Sequence, residues 1–340
     1  MSVPSIKNYK ILIADKDREL VGVLSNMLKN IGFSAPYVTS SGRDAIGALN
    51  KQSFDFLITE WNVEQLNGIE VIKTIRMDPL SPCPTLPIIM LTGRAEQIDV
   101  ITARDAGVNE YVAKPFSVKT VYSRLERIIM QPRNFVVTKK FVGPDRRNRS
   151  KPPAEIADRR VNVLRPNQSS QTVSAKMIGA SESPRLWAPD YSLKAKLGAG
   201  NSLQSIITPE ILEKAQSLIN AITQDSLEWI KKDLQLLDGL AKNLMKEGAA
   251  VELIAQVGEL ALSINSRAGT FGYDQVAKIA YMLYLFCRNK LQLQNEQHVT
   301  IVQKYVDVMY VIMSQRLLGE GDVIADEIIE GLKTMTEKLA

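Results

Sequence analysis

Several short apolar runs in the first third of the chain end in side chains capable of chemistry. Lys10-Ile11-Leu12-Ile13-Ala14 runs into Asp15-Lys16-Asp17, and residues 54–59 run into Glu60-Trp61-Asn62. Pro87-Ile88-Ile89-Met90-Leu91 runs into Thr92-Gly93-Arg94, and Glu110-Tyr111-Val112-Ala113 into Lys114-Pro115-Phe116. If these runs are strands of one parallel sheet, their carboxyl ends lie at one rim, where such sheets keep their functional crevice. Acid, acid, hydroxyl and ammonium then converge there, a set that can hold an ionic ligand. Elsewhere the sequence offers no nucleophile–base pair, metal cluster or phosphate-cradling glycine loop, so an independent enzyme is not expected.

The elements that would position this rim are legible as a pattern. Apolar runs alternate with helical periodicity, as in Leu20, Val21, Leu24, Met27, Leu28 and Ile31 before the stop at Gly32. A weaker run at residues 35–39 brings the strands to five. Alternating strands and helices with right-handed crossovers give a parallel, doubly wound α/β sheet.

The 340 residues exceed one ordinary domain, and about 150 residues per domain suggests two. No stretch reaches the roughly 18–20 apolar residues of a membrane span, and the N-terminus lacks a signal-peptide pattern, so a cytoplasmic protein is expected. Cys83 and Cys287 are too few for a disulfide framework or a zinc site. The net charge of +5 conceals an asymmetry: residues 131–205 hold 14 lysines and arginines against 5 acids, an excess of 9, which leaves −4 on the rest. That stretch also carries Pro132, Pro144, Pro152, Pro153, Pro166, Pro184 and Pro189. It lacks hydrophobic periodicity and reads as a basic, disordered Pro/Ser-rich linker. From Thr208-Pro209-Glu210, an N-cap with proline at the first helical position, apolar residues recur at helical spacing to the end of the chain. Helices near residues 211–219, 227–240, 254–264, 273–291, 298–318 and 323–339 make a helical bundle the expectation.

In order and spacing, Asp15, Glu60, Thr92 and Lys114, with Asn67-Gly68 after the third strand and Ala113-Lys114-Pro115-Phe116, resemble the receiver domain of bacterial response regulators. The resemblance spans residues 9–130 and implies a five-stranded, flavodoxin-like parallel sheet. In that family an acidic pair holds magnesium and an aspartate accepts a phosphoryl group. A Thr/Ser and a Lys bind its oxygens, and an aromatic, here Tyr111, switches rotamer. Two positions depart from the pattern. Glu60 stands where the phospho-accepting aspartate would be, and Lys16 stands at the second acidic position. An ammonium there removes a ligand and repels the cation, so magnesium binding is expected to be weak or absent and no other cofactor is implied. Lys16 either replaces the metal by pairing with Glu60, or points to solvent in a decayed pocket. Tyr111 is either the switch aromatic or an edge-strand residue covering the last helix.

The helical end resembles, over one short motif, a histidine phosphotransfer domain. Its Leu262-Ser263-Ile264-Asn265-Ser266-Arg267-Ala268-Gly269 places Leu262, Asn265 and Ser266 where that family has His, Lys and Gly, so the nucleophile is missing. The small residues, Gly269 among them, suit close helix approach inside the bundle or to a partner. His298 lacks such neighbours and is expected at the surface or as a cap. Cys287 reads as core. The basic run around Lys139-Lys140 and Arg146-Arg147 resembles Phe-x-Gly-Pro-Asp-Arg-Arg stretches that follow some receivers. It carries no DNA- or RNA-binding signature, so sequence-specific nucleic-acid binding is not expected.

The expected domains are therefore a receiver at 1–130, a basic linker at 131–205, and a helical bundle, phosphotransfer-domain-like, at 206–340. The expected function is that of a response-regulator-like protein of two-component signalling, a phosphorylation-independent adaptor or scaffold working through a pseudo-receiver. Its partners would be a histidine kinase, a phosphotransfer protein or another response regulator. The alternatives are a working phosphorelay receiver, and a nucleic-acid effector acting through the basic linker.

Overall fold

The structure, a computed structural model, describes residues 6–146, 163–164, 185–187, 192–197, 202–220, 223–246, 250–314 and 323–338. It divides into two compact units, residues 1–113 with 118–215 and residues 216–340 with 114–117.

The first unit is built on β1 (Ile11–Ala14), β2 (Tyr37–Thr39), β3 (Phe56–Thr59), β4 (Ile88–Thr92) and β5 (Glu110–Ala113), all parallel in the order β2-β1-β3-β4-β5. This is the five-stranded, flavodoxin-like sheet expected. β1, β3 and β4 are buried along their whole length because helices cover both faces. The helices are α1 (Arg18–Asn30), α2 (Gly42–Lys51), α3 (Gly68–Met77), α4 (Gln97–Ala106) and α5 (Val118–Met130). Their starts are set by caps: Asp17 accepts from Leu20 N, Ser41 from Asp44 N, and Asn67 forms a capping box with Glu70. α4 ends on Gly107, whose φ of 99° is the left-handed conformation that glycine adopts without a Cβ penalty.

The stretch that reads as a linker is folded where it is described. Residues 135–137 and 142–144 form a hairpin, β6 (Phe135–Val137) and β7 (Val142–Pro144). Phe135, Val137 and Val142 bury against Met77 of α3. Val163–Leu164 (β8) and Arg185–Trp187 (β9) join them in a second sheet ordered β7-β6-β9-β8. Pro144 is tolerated because β7 is an edge strand. Farther on, α6 (Ser192–Lys196) anchors to the amino-terminal side of the first sheet. Tyr9 donates to Leu193 O at 2.5 Å, and Lys196 Nζ meets Asp55 Oδ1 at 2.6 Å. The expectation of a disordered 131–205 therefore fails for these residues, because a three-residue strand is too short to show a period. Residues 147–162, 165–184, 188–191 and 198–201, with Arg147 and Lys151 of the basic run, lie outside the described residues. A short α7 (Leu203–Ile206) and α8 (Pro209–Asn220) follow.

In the second unit, α9 (Thr223–Leu244), α10 (Glu252–Thr270), α11 (Asp274–Asn289) and α12 (Glu296–Ser314) close a ring in which each helix packs on two others, and α13 (Val323–Lys338) lies on α11 and α12. Only Phe271-Gly272-Tyr273 separates α10 from α11, so the chain doubles back there, with Gly272 at φ 80°. Polar links tie the helices: Arg267 to Asp233 at 2.9 Å, Asn265 Nδ2 to Ala277 O at 3.0 Å, and Tyr305 to Thr336 at 2.8 Å. Leu262, Asn265 and Ser266 are buried, and the Ser266 hydroxyl donates to Leu262 O on its own helix. The helical C-terminal region is as expected. His298 is not at the surface: it is buried, edge-on to Phe286, and its Nδ1 accepts from Gln292 N. Cys287 lies in the core, where burial pushes its thiol up to about 12.

Candidate functional site at the strand ends

The backbone ladder runs one residue past two strands. Asp15 N donates to Thr39 O at 3.0 Å and Glu60 N to Ala14 O at 2.9 Å, which fixes both acids beside each other at the carboxyl rim. Thr92 closes β4 opposite Ala113 of β5, and Lys114 follows directly across a cis Lys114–Pro115 peptide. Asp15, Glu60, Thr92 and Lys114 are all buried, with exposures of 9% or less. Asp15, Glu60 and Thr92 thus stand at the carboxyl ends of their strands, and Lys114 is the residue after β5.

Lys16 is the exception. Asp15 Oδ1 accepts from Asp17 N at 2.9 Å, a local turn that rotates the intervening residue outward. The Lys16 side chain is exposed and makes no ion pair or hydrogen bond among the described residues, so it does not pair with Glu60. Of the two readings of Lys16, the structure has the one that points to solvent.

Glu60 is held from below. Its Oε1 accepts from the next backbone amide, Trp61 N, at 2.6 Å. Gly68 N donates to Trp61 O at 2.8 Å, and a Cβ on Gly68 would sit 2.1 Å from Glu60 O. Only glycine lets the start of α3 approach the acid's own backbone so closely. This is the physical content of Asn67-Gly68: the asparagine caps the helix and the glycine clears the pocket.

Across the rim, two residues without an assigned role in the sequence reading link the parts. The Arg94 guanidinium stacks over the Trp61 ring at 5.3 Å. Its backbone closes the other side: Arg94 N donates to Thr92 Oγ1 at 3.2 Å, and the Tyr111 hydroxyl donates to Arg94 O at 2.5 Å. Tyr111 is half-buried against the core between the sheet and its covering helices. The signal in the sequence was positional, since Trp61 directly follows Glu60 and Arg94 comes two residues after Thr92, but which side chains would meet across the loops was not written in spacing.

The donor set does not fit an octahedral magnesium ion. Such a site needs oxygen ligands at near-ideal geometry. Here the Asp17 carboxylate caps α1, Glu60 Oε1 takes the Trp61 amide, and Lys16, its side chain in solvent, offers no oxygen at the second acidic position. Among the described residues no group of three His, Cys, Asp or Glu side chains gathers as metal ligands.

A family model described as the response regulator receiver domain matches residues 11–126. The chemotaxis protein CheY-3 of Vibrio cholerae is 37% identical over 122 residues, which cover 36% of this chain and 92% of that protein. The chemotaxis protein CheY of Pseudomonas aeruginosa is 34% identical over 119 residues, 35% of this chain and 94% of that one. Among solved structures, the chemotaxis response regulator CheY4 of Vibrio cholerae shares 26% identity with a TM-score of 0.33, covering 35% of this chain and 98% of that one. No helix among the described residues is long and apolar enough to cross a membrane.

Proposed function

The chain belongs to the response regulator receiver family and is a response regulator of two-component signalling, and from that premise we propose that it acts as a phosphorylation-independent adaptor or scaffold. The observation that supports this reading is the state of the rim. The longer acid Glu60 replaces the shorter aspartate, its Oε1 is engaged by Trp61 N, and Lys16 occupies the second acidic position with its charge in solvent. A carboxylate one methylene too long, without a cation to neutralise the incoming group, is a poor phosphoryl acceptor. Asp15, Lys16, Glu60, Thr92 and Lys114 then form a pocket that keeps its shape without its chemistry, and Tyr111 holds the loop after β4 in one arrangement. Partners would be a histidine kinase, a phosphotransfer protein or another response regulator in the cytoplasm, and the protein itself would not be an enzyme. The C-terminal bundle would be a phosphotransfer-like module without its histidine. The burial of Leu262, Asn265 and Ser266 suits a packing role for that motif.

The test uses the fluorescence of Trp61. Titration of the natural protein with magnesium and then beryllofluoride should leave its emission unchanged, while the double variant Lys16→Asp with Glu60→Asp should respond. Pull-down of a cognate kinase should be equal with and without a phosphodonor. A magnesium-dependent response in the natural protein would restore a working phosphorelay receiver.

A further inference from the structure

Away from the rim, at the opposite end of β5, arginines crowd around one buried acid. Glu110 opens β5 and is only 8% exposed. Arg124 and Arg127 of α5 approach its carboxylate at 3.6 and 3.5 Å, and Arg133, which leads into the β6–β7 hairpin, at 3.6 Å. These are long contacts; a charge-assisted hydrogen bond is about 2.7–2.9 Å. One carboxylate is shared among three guanidinium groups and satisfies none of them. The Arg124 Nε is buried without a hydrogen-bond partner.

The hairpin brings a further cation to the same place. Arg146 NH2 donates to Val108 O at 2.6 Å, just before β5, and Arg104 at the end of α4 pairs with its neighbour Asp105 at 2.8 Å. Burial of the Arg146 head, together with repulsion from Arg133 and Arg104, lowers its pKa to about 10, against the pull of Glu110 and Asp105, although the side chain as a whole stays exposed. Among the described residues, two bonds of ordinary length issue from these five guanidinium groups, which can donate many more. Beside Arg104 and Arg146 lies a cavity of about 480 Å³, within the range that takes a small ligand. Its apolar wall is Val136, Phe141 and Pro144, and Asp105 and Asp145 complete the lining. Counting those two acids and Glu110, the five arginines leave an excess of two positive charges.

The cavity exists because the hairpin docks closely. A Cβ on Gly107 would lie 2.7 Å from Val142 O, and one on Gly143 would meet the Phe141 ring at 2.5 Å. Glycine at these two positions lets Phe141 and Arg146 reach the α4–β5 turn.

We propose that this cluster is a binding site for a purine nucleoside monophosphate. The phosphate would lie between the guanidinium groups of Arg146, Arg133 and Arg104, and its dianionic charge would match the excess. Phe141 and Pro144 would take the flat ring, and the Asp105 and Asp145 carboxylates would accept from ring N–H groups. An acidic polypeptide would satisfy the arginines equally well but has no use for the apolar wall. The site stands apart from the strand-end rim and does not rest on the adaptor reading.

The experiment is calorimetric titration of the full chain with guanosine monophosphate, inorganic phosphate and a polyglutamate peptide. The nucleotide should bind one to one, about tenfold or more tighter than phosphate, and weaken with salt. Arg133→Gln with Arg146→Gln should weaken both anions about tenfold. Phe141→Leu should weaken the nucleotide alone. Glu110→Gln removes the competing carboxylate and should tighten both by several-fold, a gain that misfolding cannot imitate. Equal affinity for nucleotide and phosphate, no saturation, indifference to the arginine changes, or binding of the peptide alone would each overturn the proposal.

Discussion

The Tyr111 hydroxyl and the backbone of Arg94 join β5 to the loop after β4 with one short hydrogen bond. Tyr111→Phe keeps the ring and removes that bond, so it should cost about 1 kcal/mol in chemical denaturation, while Trp61 emission reports a loosened Arg94. The two thiols give a pH prediction at the same scale. Burial pushes Cys83 up to about 11 and Cys287 to about 12, so both stay protonated at neutral pH. A raised thiol pKa favours the folded state below the ordinary thiol value, and that contribution is lost as pH climbs toward 11. Alkylation of the native protein should therefore be slow at pH 8 and accelerate only above about pH 10; labelling as fast as in urea would contradict the burial. Strand ends in the sequence were enough to place Asp15, Glu60 and Thr92 at the carboxyl rim and Lys114 just after β5, because a parallel sheet fixes where each strand stops. They were not enough for Lys16, whose direction follows from the Asp15–Asp17 turn.

Among the elements, α3 carries the most consequential packing. Arg76 near its end is fully buried, yet no carboxylate among the described residues pairs with it. It donates instead to Gly107 O at 3.0 Å, Pro84 O at 2.8 Å and Asn109 Oδ1 at 3.0 Å, and lies 5.1 Å over the Phe135 ring. Burial lowers its pKa to about 9, which still leaves it charged at neutral pH. Arg76→Met would abandon two buried carbonyls and loosen both the α4–β5 turn and the hairpin; a loss of about 3 kcal/mol is expected by denaturant titration. At the other end of α3, Gly68→Ala must push against Glu60 O. It should destabilise by about 1–3 kcal/mol and shift the Trp61 emission, since the acid and the tryptophan share that backbone. Five strands and their helices were legible because their periods repeat over enough residues. The hairpin was not, since three-residue strands next to prolines and a dense charge run look like a solvated tether until Phe135 and Val142 find Met77.

At the scale of the whole molecule, the first unit extends well past the residues matched by the family model. Tyr9 to Leu193, Asp55 to Lys196, and the β6–β9 ladder tie residues 185–187 and 192–197 back onto the same body as residues 6–146. A protease site introduced after Ser170 and cleaved under native conditions should leave two pieces that co-elute in size exclusion; separation would mean these contacts are too weak to hold. The order β7-β6-β9-β8 has one more consequence. The chain leaves this small sheet from one edge, β7, and returns on the other, β8, with β6 and β9 between them, so the two points stand about 14 Å apart whatever the length of the intervening sequence. Between two fixed points, each doubling of a flexible loop costs only about 0.6 kcal/mol in closure entropy. Inserts of about ten or twenty residues there should leave the fold intact, so this is where lineages can vary in size and charge while both cores stay unchanged.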